Sequence, residues 1–181
     1  MVQHETTTAV ARLGRIRRLF ARVIGLLDYI KELESTVEQL SWDGPFGMCT
    51  RGAFLRLCDF MPRDQRAVAF IDLVGVHDLN KQHGFEAVDA LVRSLFSIPF
   101  RRSDIVARWY SGDEIVIVFD GGLDAAVRKI DELQTKGAQV GVDFDHRLGV
   151  WDVGKESVSE VVGRLSEQVI LDKEKRGGRD D

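Results

Sequence analysis

Residues 105–119 read IVARWYSGDEIVIVF: two runs of β-branched and aromatic residues, Ile105–Tyr110 and Glu114–Phe119, meet at a short polar break. Runs of this composition form strands, and Ser111 to Glu114 at or near the turn leave room only for a hairpin. Upstream, Ala67–Leu73 (AVAFIDL) is a continuous apolar run of strand length that carries an acid, Asp72, near its end, the pattern of a buried central strand. Between them, Val76–Gln82 is expected to be helical. A second helix after Gly84 places Val88, Leu91, Val92, Leu95 and Phe96 on one face. Downstream, Leu123–Leu133 reads as a helix, Gln139–Phe144 and Arg147–Val153 as strands, and Val158–Lys175 as a final helix. This order predicts an α+β domain of ferredoxin-like or palm type, a mainly antiparallel sheet with helices packed on one face.

The domain is preceded by a different pattern. Ile16, Leu19, Val23, Leu26, Ile30, Leu33, Val37 and Leu40 recur in steps of three and four. Such an a/d seam draws two helices into a coiled coil, so residues 1–41 are expected to form a dimeric coiled-coil helix. Flanking Phe20, Ile24 and Leu27 widen the stripe and keep open a single amphipathic helix packed on its own domain. Trp42-Asp43-Gly44-Pro45 ends the helix, and residues 42–181 follow as one domain: a helix over Arg51–Phe60, a turn at Met61–Asp64, then the first long strand.

The 181 residues are 44% apolar and 30% charged, an ordinary globular balance, and the net charge of −4 speaks against a dedicated nucleic-acid binder. The most apolar N-terminal stretch, Leu19–Ile30, contains Arg22 and Asp28 and is far shorter than the roughly 20 apolar residues a membrane span needs. Cys49 and Cys58 have no metal-binding or disulfide-framework spacing and read as reduced thiols. The expectation is a cytoplasmic protein with no membrane span.

Asp72 sits near the end of the buried strand, and Asp113 and Glu114 sit at the hairpin tip. In a ferredoxin-like sheet these elements are neighbours. Converging carboxylates repel unless a cation lies between them, and oxygen ligands that leave room for phosphates suit Mg²⁺. The other reading is that Asp113-Glu114 is polar turn chemistry.

YSGDEIVIVF resembles the signature hairpin of the GGDEF family, the diguanylate cyclases, with Ser111 for its first glycine and Ile115 for its phenylalanine. Asp43-Gly44-Pro45-Phe46-Gly47-Met48-Cys49-Thr50-Arg51 resembles the family's DxLTGLxNR. FIDLVGVHDLNKQHGFEAVDALV is similar to FIDLDxFKxINDxxGHxxGDxLL, and Lys175-Arg176-Gly177-Gly178-Arg179 to the terminal KxxGR. The resemblance runs over about residues 43–179, in order and nearly in register.

It implies a diguanylate cyclase that condenses two GTP into cyclic di-GMP and two pyrophosphates. Asp72, Asp113 and the backbone carbonyl of Leu73 would hold Mg²⁺ or Mn²⁺. Glu114 would help deprotonate the attacking 3′-hydroxyl, Gly112 would let the backbone approach the nucleotide without a side chain in the way, and Ser111 is counted with them among the catalytic residues. Asn80 and Asp89 would read guanine, a carboxylate accepting from N1–H and N2–H₂ while an amide donates and accepts. His77 stands where the family has a phosphate-contacting lysine, and Lys175 and Arg179 would bind the triphosphate. Arg101 and Asp104 form an RxxD, which in many such enzymes is an inhibitory product site for cyclic di-GMP.

Some positions depart from the pattern. Val74 replaces an acid, His77 a lysine and Phe85 a histidine; the tyrosine before Lys175 is missing, and one extra residue precedes Ser111, which a β-bulge would absorb. Two alternatives therefore stand beside the cyclase: a degenerate domain acting as a receptor for GTP or cyclic di-GMP, and another palm-type cyclic-nucleotide synthase. Since one domain holds one GTP and the product joins two, the resemblance also implies a homodimer, for which the N-terminal seam is the means.

Overall fold

The computed structural model of the protein describes residues 22–37, 39–110 and 112–177. The chain divides into two compact units, Met1–Leu40 and Ser41–Asp181. In the first, residues 22–37 and 39–40 belong to helix α1, which ends at residue 41; Val23, Leu26, Ile30, Leu33, Val37 and Leu40 along it are exposed. Ile16 and Leu19, the first positions of the expected seam, lie outside the described residues.

The second unit runs β1 (Trp42–Asp43), β2 (Met48–Cys49), α2 (Arg51–Asp59), β3 (Gln65–Val74), α3 (Val76–His83), α4 (Phe85–Leu95), β4 (Ile105–Arg108), β5 (Glu114–Phe119), α5 (Leu123–Val140), β6 (Asp143–Asp152) and α6 (Val158–Gly177). The sheet order is β1-β2-β4-β5-β3-β6. Its four long members, β4-β5-β3-β6, pair antiparallel throughout, and their connections form two interleaved β-α-β units, the expected ferredoxin-like plan. The short β1–β2 pair is added at the edge through a parallel contact of Cys49 with Ala107.

Helices cover both faces of the sheet rather than one. Ala67, Ala69, Ile71 and Leu73 of β3 pack with Ile115, Ile117 and Phe119 against Val88, Val92, Ile130 and Leu133 of α4 and α5. Val68 and Phe70 pack with Val116, Val118 and Trp151 against Phe54 of α2 and Val161, Val162 and Leu165 of α6. The reason lies in the sequence: β3 and β5 are apolar at successive positions, so neither face can be left in water, and each buried large side chain is worth about 1.5–3 kcal/mol.

Two boundaries differ from expectation. Helix α5 continues to Val140, and the two expected strands, Gln139–Phe144 and Arg147–Val153, are a single strand, β6, beginning at Asp143. Asp145-His146 has the composition of a turn, but unbroken pairing with β3 from Asp143↔Val74 to Asp152↔Gln65 holds it extended. The tertiary ladder overrides local propensity.

The end of α5 depends on Gly137. Its carbonyl accepts from Gly141 N (2.9 Å) and Val142 N (3.0 Å), and a Cβ there would lie 2.5 Å from the Val142 carbonyl oxygen. Backbone cannot swing aside as a side chain can. Gly137→Ala is therefore expected to lose about 1–3 kcal/mol despite alanine's better helix propensity, seen as a lower urea midpoint. An unchanged or raised midpoint would contradict this packing.

Arg66, nearly buried at the start of β3, is held by Asp64 (Nε–Oδ1 and NH2–Oδ2, both 2.9 Å) and by Asp120, whose other oxygen accepts from Ser103 Oγ at 2.6 Å. The Ser103 hydroxyl and then the Arg66 guanidinium hold the Asp120 carboxyl below its usual range. A depressed carboxyl contributes stability that is present above its unfolded value, about pH 4, and is lost as pH falls through the folded value. Asp120→Asn should lower Tm at neutral pH, with the gap to wild type closing below about pH 4. A gap independent of pH would show that charge is not involved.

Cys49 and Cys58 are free thiols, and burial first, then the nearby Asp59 carboxylate, pushes Cys58 up to about 12, the behaviour of a core residue rather than a nucleophile. Among the described residues no helix is long and apolar enough to cross a membrane.

Candidate functional site

The site is built by register. Asp72 of β3 is the direct partner of Glu114 on β5 and, on its other side, of Asp145 on β6. Directly opposed residues project from the same face of a sheet, so three carboxylates stand abreast on the face covered by α6. The Leu73 N–H donates to the Asp113 carbonyl (2.9 Å), which fixes the hairpin tip against the end of β3. Thus the structure brings Asp72, Leu73, Asp113 and Glu114 together.

The stem of the hairpin is braced by the segment that opens the domain. Asp43 Oδ2 pairs with Arg108 (3.0 Å), Arg108 lies over the Phe46 ring, and the Arg51 guanidinium lies 4.6 Å from the Trp109 ring centre and 4.0 Å from that of Tyr110. Among the described residues the strand before Ser111 carries no bulge. Ile105↔Val118 to Arg108↔Ile115 is unbroken, and Trp109 N–H donates to Glu114 O (2.8 Å) at the base of the turn. Within that turn a Cβ on Gly112 would come within 3.0 Å of an Arg108 terminal nitrogen. Ser111 and Arg179 lie outside the described residues.

Charge on the carboxylate row is balanced from α6. Lys173 Nζ donates to Asp72 Oδ2 at 2.8 Å and lies 3.9 Å from Asp145 Oδ2, while Arg176 reaches Asp145 Oδ1 at 2.7 Å. Lys175 is exposed, beside Arg176, Arg147, Asp145 and Asp172 along a groove of about 410 Å³ between β6 and α6. Arg147 pairs with Asp172. Lys173, Asp145 and Arg176 were not legible as site residues, because Asp145 was read as lying between two strands.

Asn80 lies inside α3, not at a cap, and its Oδ1 is buried without a hydrogen-bond partner. Asp89 is half-buried on α4, and His77 and Phe85 are exposed. The sharp reversal between the two helices is made at Gly84, whose φ of 83° suits glycine, with its N–H on the Asn80 carbonyl. No described hydrogen bond or ion pair joins Asn80, Asp89 or His77 to the carboxylate row. Arg101 and Asp104 sit at the opposite end of the hairpin. Asp104 uses Oδ2 on the Arg101 N–H (2.9 Å) and Oδ1 on the Asp120 N–H (2.8 Å), so it closes a turn.

Whether the row suits a divalent cation can be judged from its donors. Among the described residues no group of three His, Cys, Asp or Glu side chains forms a ready metal cage. Mg²⁺ seldom needs one, since one or two carboxylates plus substrate phosphates suffice. Glu114 Oε2 is buried and has no partner, an oxygen that wants a cation or donor delivered with a ligand. All the acids supply hard oxygen. The donor set fits.

No protein-family profile and no curated protein sequence matches the chain. Solved structures do. The coiled coil and GGDEF domain of DgcB from Caulobacter crescentus, in complex with c-di-GMP, is 19% identical with a TM-score of 0.67, over 88% of this chain and 95% of that one. The fold is that of the GGDEF domains. The diguanylate cyclase SiaD of Pseudomonas aeruginosa, in complex with its activator SiaC, is 17% identical with a TM-score of 0.61, over 96% of this chain and 73% of that one. The FimX GGDEF domain from Pseudomonas aeruginosa is 20% identical with a TM-score of 0.57, over 71% and 91%. Within this fold the carboxylates of Asp72 and Glu114 lie where β3 and the β4–β5 hairpin meet.

Proposed function

We propose that the chain is a GGDEF-family diguanylate cyclase that joins two GTP into cyclic di-GMP with release of two pyrophosphates. The observation that carries this reading is the direct pairing of Asp72 with Glu114, closed by the Leu73 N–H on the Asp113 carbonyl. It brings the acids of two sequence-distant motifs into one place.

Asp72, Asp113 and the Leu73 carbonyl would hold Mg²⁺ or Mn²⁺. A cation bound there supplies charge stabilisation at the α-phosphate. The chain's own residues do the rest. Asn80 and Asp89 bind the guanine edge, and Lys175 and Arg179 donate to the triphosphate. Glu114, with its unpartnered Oε2, takes the proton from the 3′-hydroxyl of the partner's nucleotide. Each site holds one GTP, so two domains face each other and each 3′-hydroxyl attacks the opposite α-phosphate. Positioning supplies most of the acceleration. The exposed apolar stripe of α1 is the means of bringing two chains together.

The test is to incubate the full chain with equal GTP and ATP and Mg²⁺ and to identify products by mass. Cyclic di-GMP alone is expected. Removing residues 1–40 should leave activity that rises steeply with protein concentration. GTP bound tightly without product would favour a receptor, for which the replacement of the family lysine and histidine by His77 and Phe85 is the specific support.

A further inference from the structure

Three acids abreast are unstable without positive charge among them, and α6 supplies it in an unusual way. Its source is the Lys173 ammonium. It lies on Asp72 itself, at 2.8 Å, with Asp145 as a second acceptor at 3.9 Å. Asp72 and Asp145 are mostly enclosed, with 19% and 18% of their side-chain surface exposed, whereas Lys173 keeps 39% and a flexible four-carbon stem. A second cation, Arg176, holds only the far oxygen of Asp145, leaving Oδ2 to Lys173. A divalent cation and an ammonium cannot share Asp72 Oδ2, because like charges at contact distance repel strongly in a partly enclosed site.

From this arrangement, and resting on the cyclase reading above, we propose that Lys173 is an internal counter-ion of the nucleotide-free site. It occupies the cation's place on Asp72 and moves to Asp145 when a divalent cation binds. Asp145 is then a positioning residue that gives the displaced ammonium an acceptor, so that loading does not leave it unpaired. The exchange makes cation binding weak until a nucleotide adds its own ligands, which couples metal to substrate. A fixed structural ion pair would have no such consequence.

The test is Mn²⁺ binding to the full chain without nucleotide, followed by electron paramagnetic resonance of free Mn²⁺ at constant ionic strength. Lys173→Met should bind Mn²⁺ about tenfold more tightly than wild type, whereas Lys173→Arg, which keeps the charge, should not. Asp145→Asn should weaken binding more in the wild-type background than in the Lys173→Met background, because the acceptor matters only when the ammonium must move. Equal affinity for wild type and Lys173→Met, in proteins of equal Tm, would overturn the exchange; equal effects of Asp145→Asn in both backgrounds would overturn the role of Asp145. Asp72→Asn is the control on the underlying reading. If it leaves Mn²⁺ binding intact, the metal site itself is wrong, whatever Lys173 does.

Discussion

Asp72→Asn and Asp113→Ala should each cut cyclic di-GMP formation by at least about a hundredfold, the scale on which removal of a preorganised charge from a reacting phosphoryl or acyl centre is felt. Asp72→Asn is mild for the fold. Asparagine has the shape of aspartate, and Asp72 loses an ion pair with a lysine that is partly exposed, a class of contact worth little by itself. Alanine at 113 keeps the backbone carbonyl that accepts from Leu73. The expected signature is therefore a large loss of product, quantified by mass, from proteins that circular dichroism shows to be folded, with the Tm of Asp72→Asn near wild type. Full activity in folded Asp72→Asn would remove the basis for placing a cation on β3.

The base-reading pair should behave differently. Asp89→Ala is expected to reduce turnover and binding of GTP by about a hundredfold or more without any gain for ATP, since a site built to hydrogen-bond its ligand loses heavily when one partner goes. No described hydrogen bond or ion pair ties Asp89 to the fold, so stability should change little. Asn80→Ala carries a sharper signature. The Asn80 side-chain oxygen is buried and unpartnered, a state that costs about 1–3 kcal/mol. Removing it should hold or raise Tm while GTP binding falls. Calorimetry with GTP and ATP, beside thermal unfolding, reads both effects. Wild-type GTP affinity in Asp89→Ala would refute the guanine assignment, and a marked loss of stability in Asn80→Ala would give that residue a structural role instead.

Much of the domain was legible because its signals are local. Ile105–Phe119 could hardly be other than a hairpin, Ala67–Leu73 other than a buried strand, and their order with the intervening helices leads to the ferredoxin-like sheet. Elements were misjudged where a long-range ladder outweighed composition. Asp145-His146 looks like a turn and is extended because β3 pairs through it, and α5 runs on to Val140 because its exit is set by Gly137 and Gly141. The bulge expected before Ser111 is absent from the described strands, since it would have broken the pairing that keeps Ile115 and Val116 buried.

By itself the sequence determined the kind of strands and helices, the acidic tip of the hairpin and the acid near the end of β3, since periodicity and turn chemistry act between near neighbours. Only the tertiary structure decided that Asp145 stands beside Asp72, that Lys173 rather than Lys175 reaches Asp72, and that Asp104 closes a turn. Those facts depend on register between strands far apart in the chain and on the turn of α6 that faces them. One residue of slip of β6 against β3 would turn Asp145 to the other face of the sheet, away from Asp72.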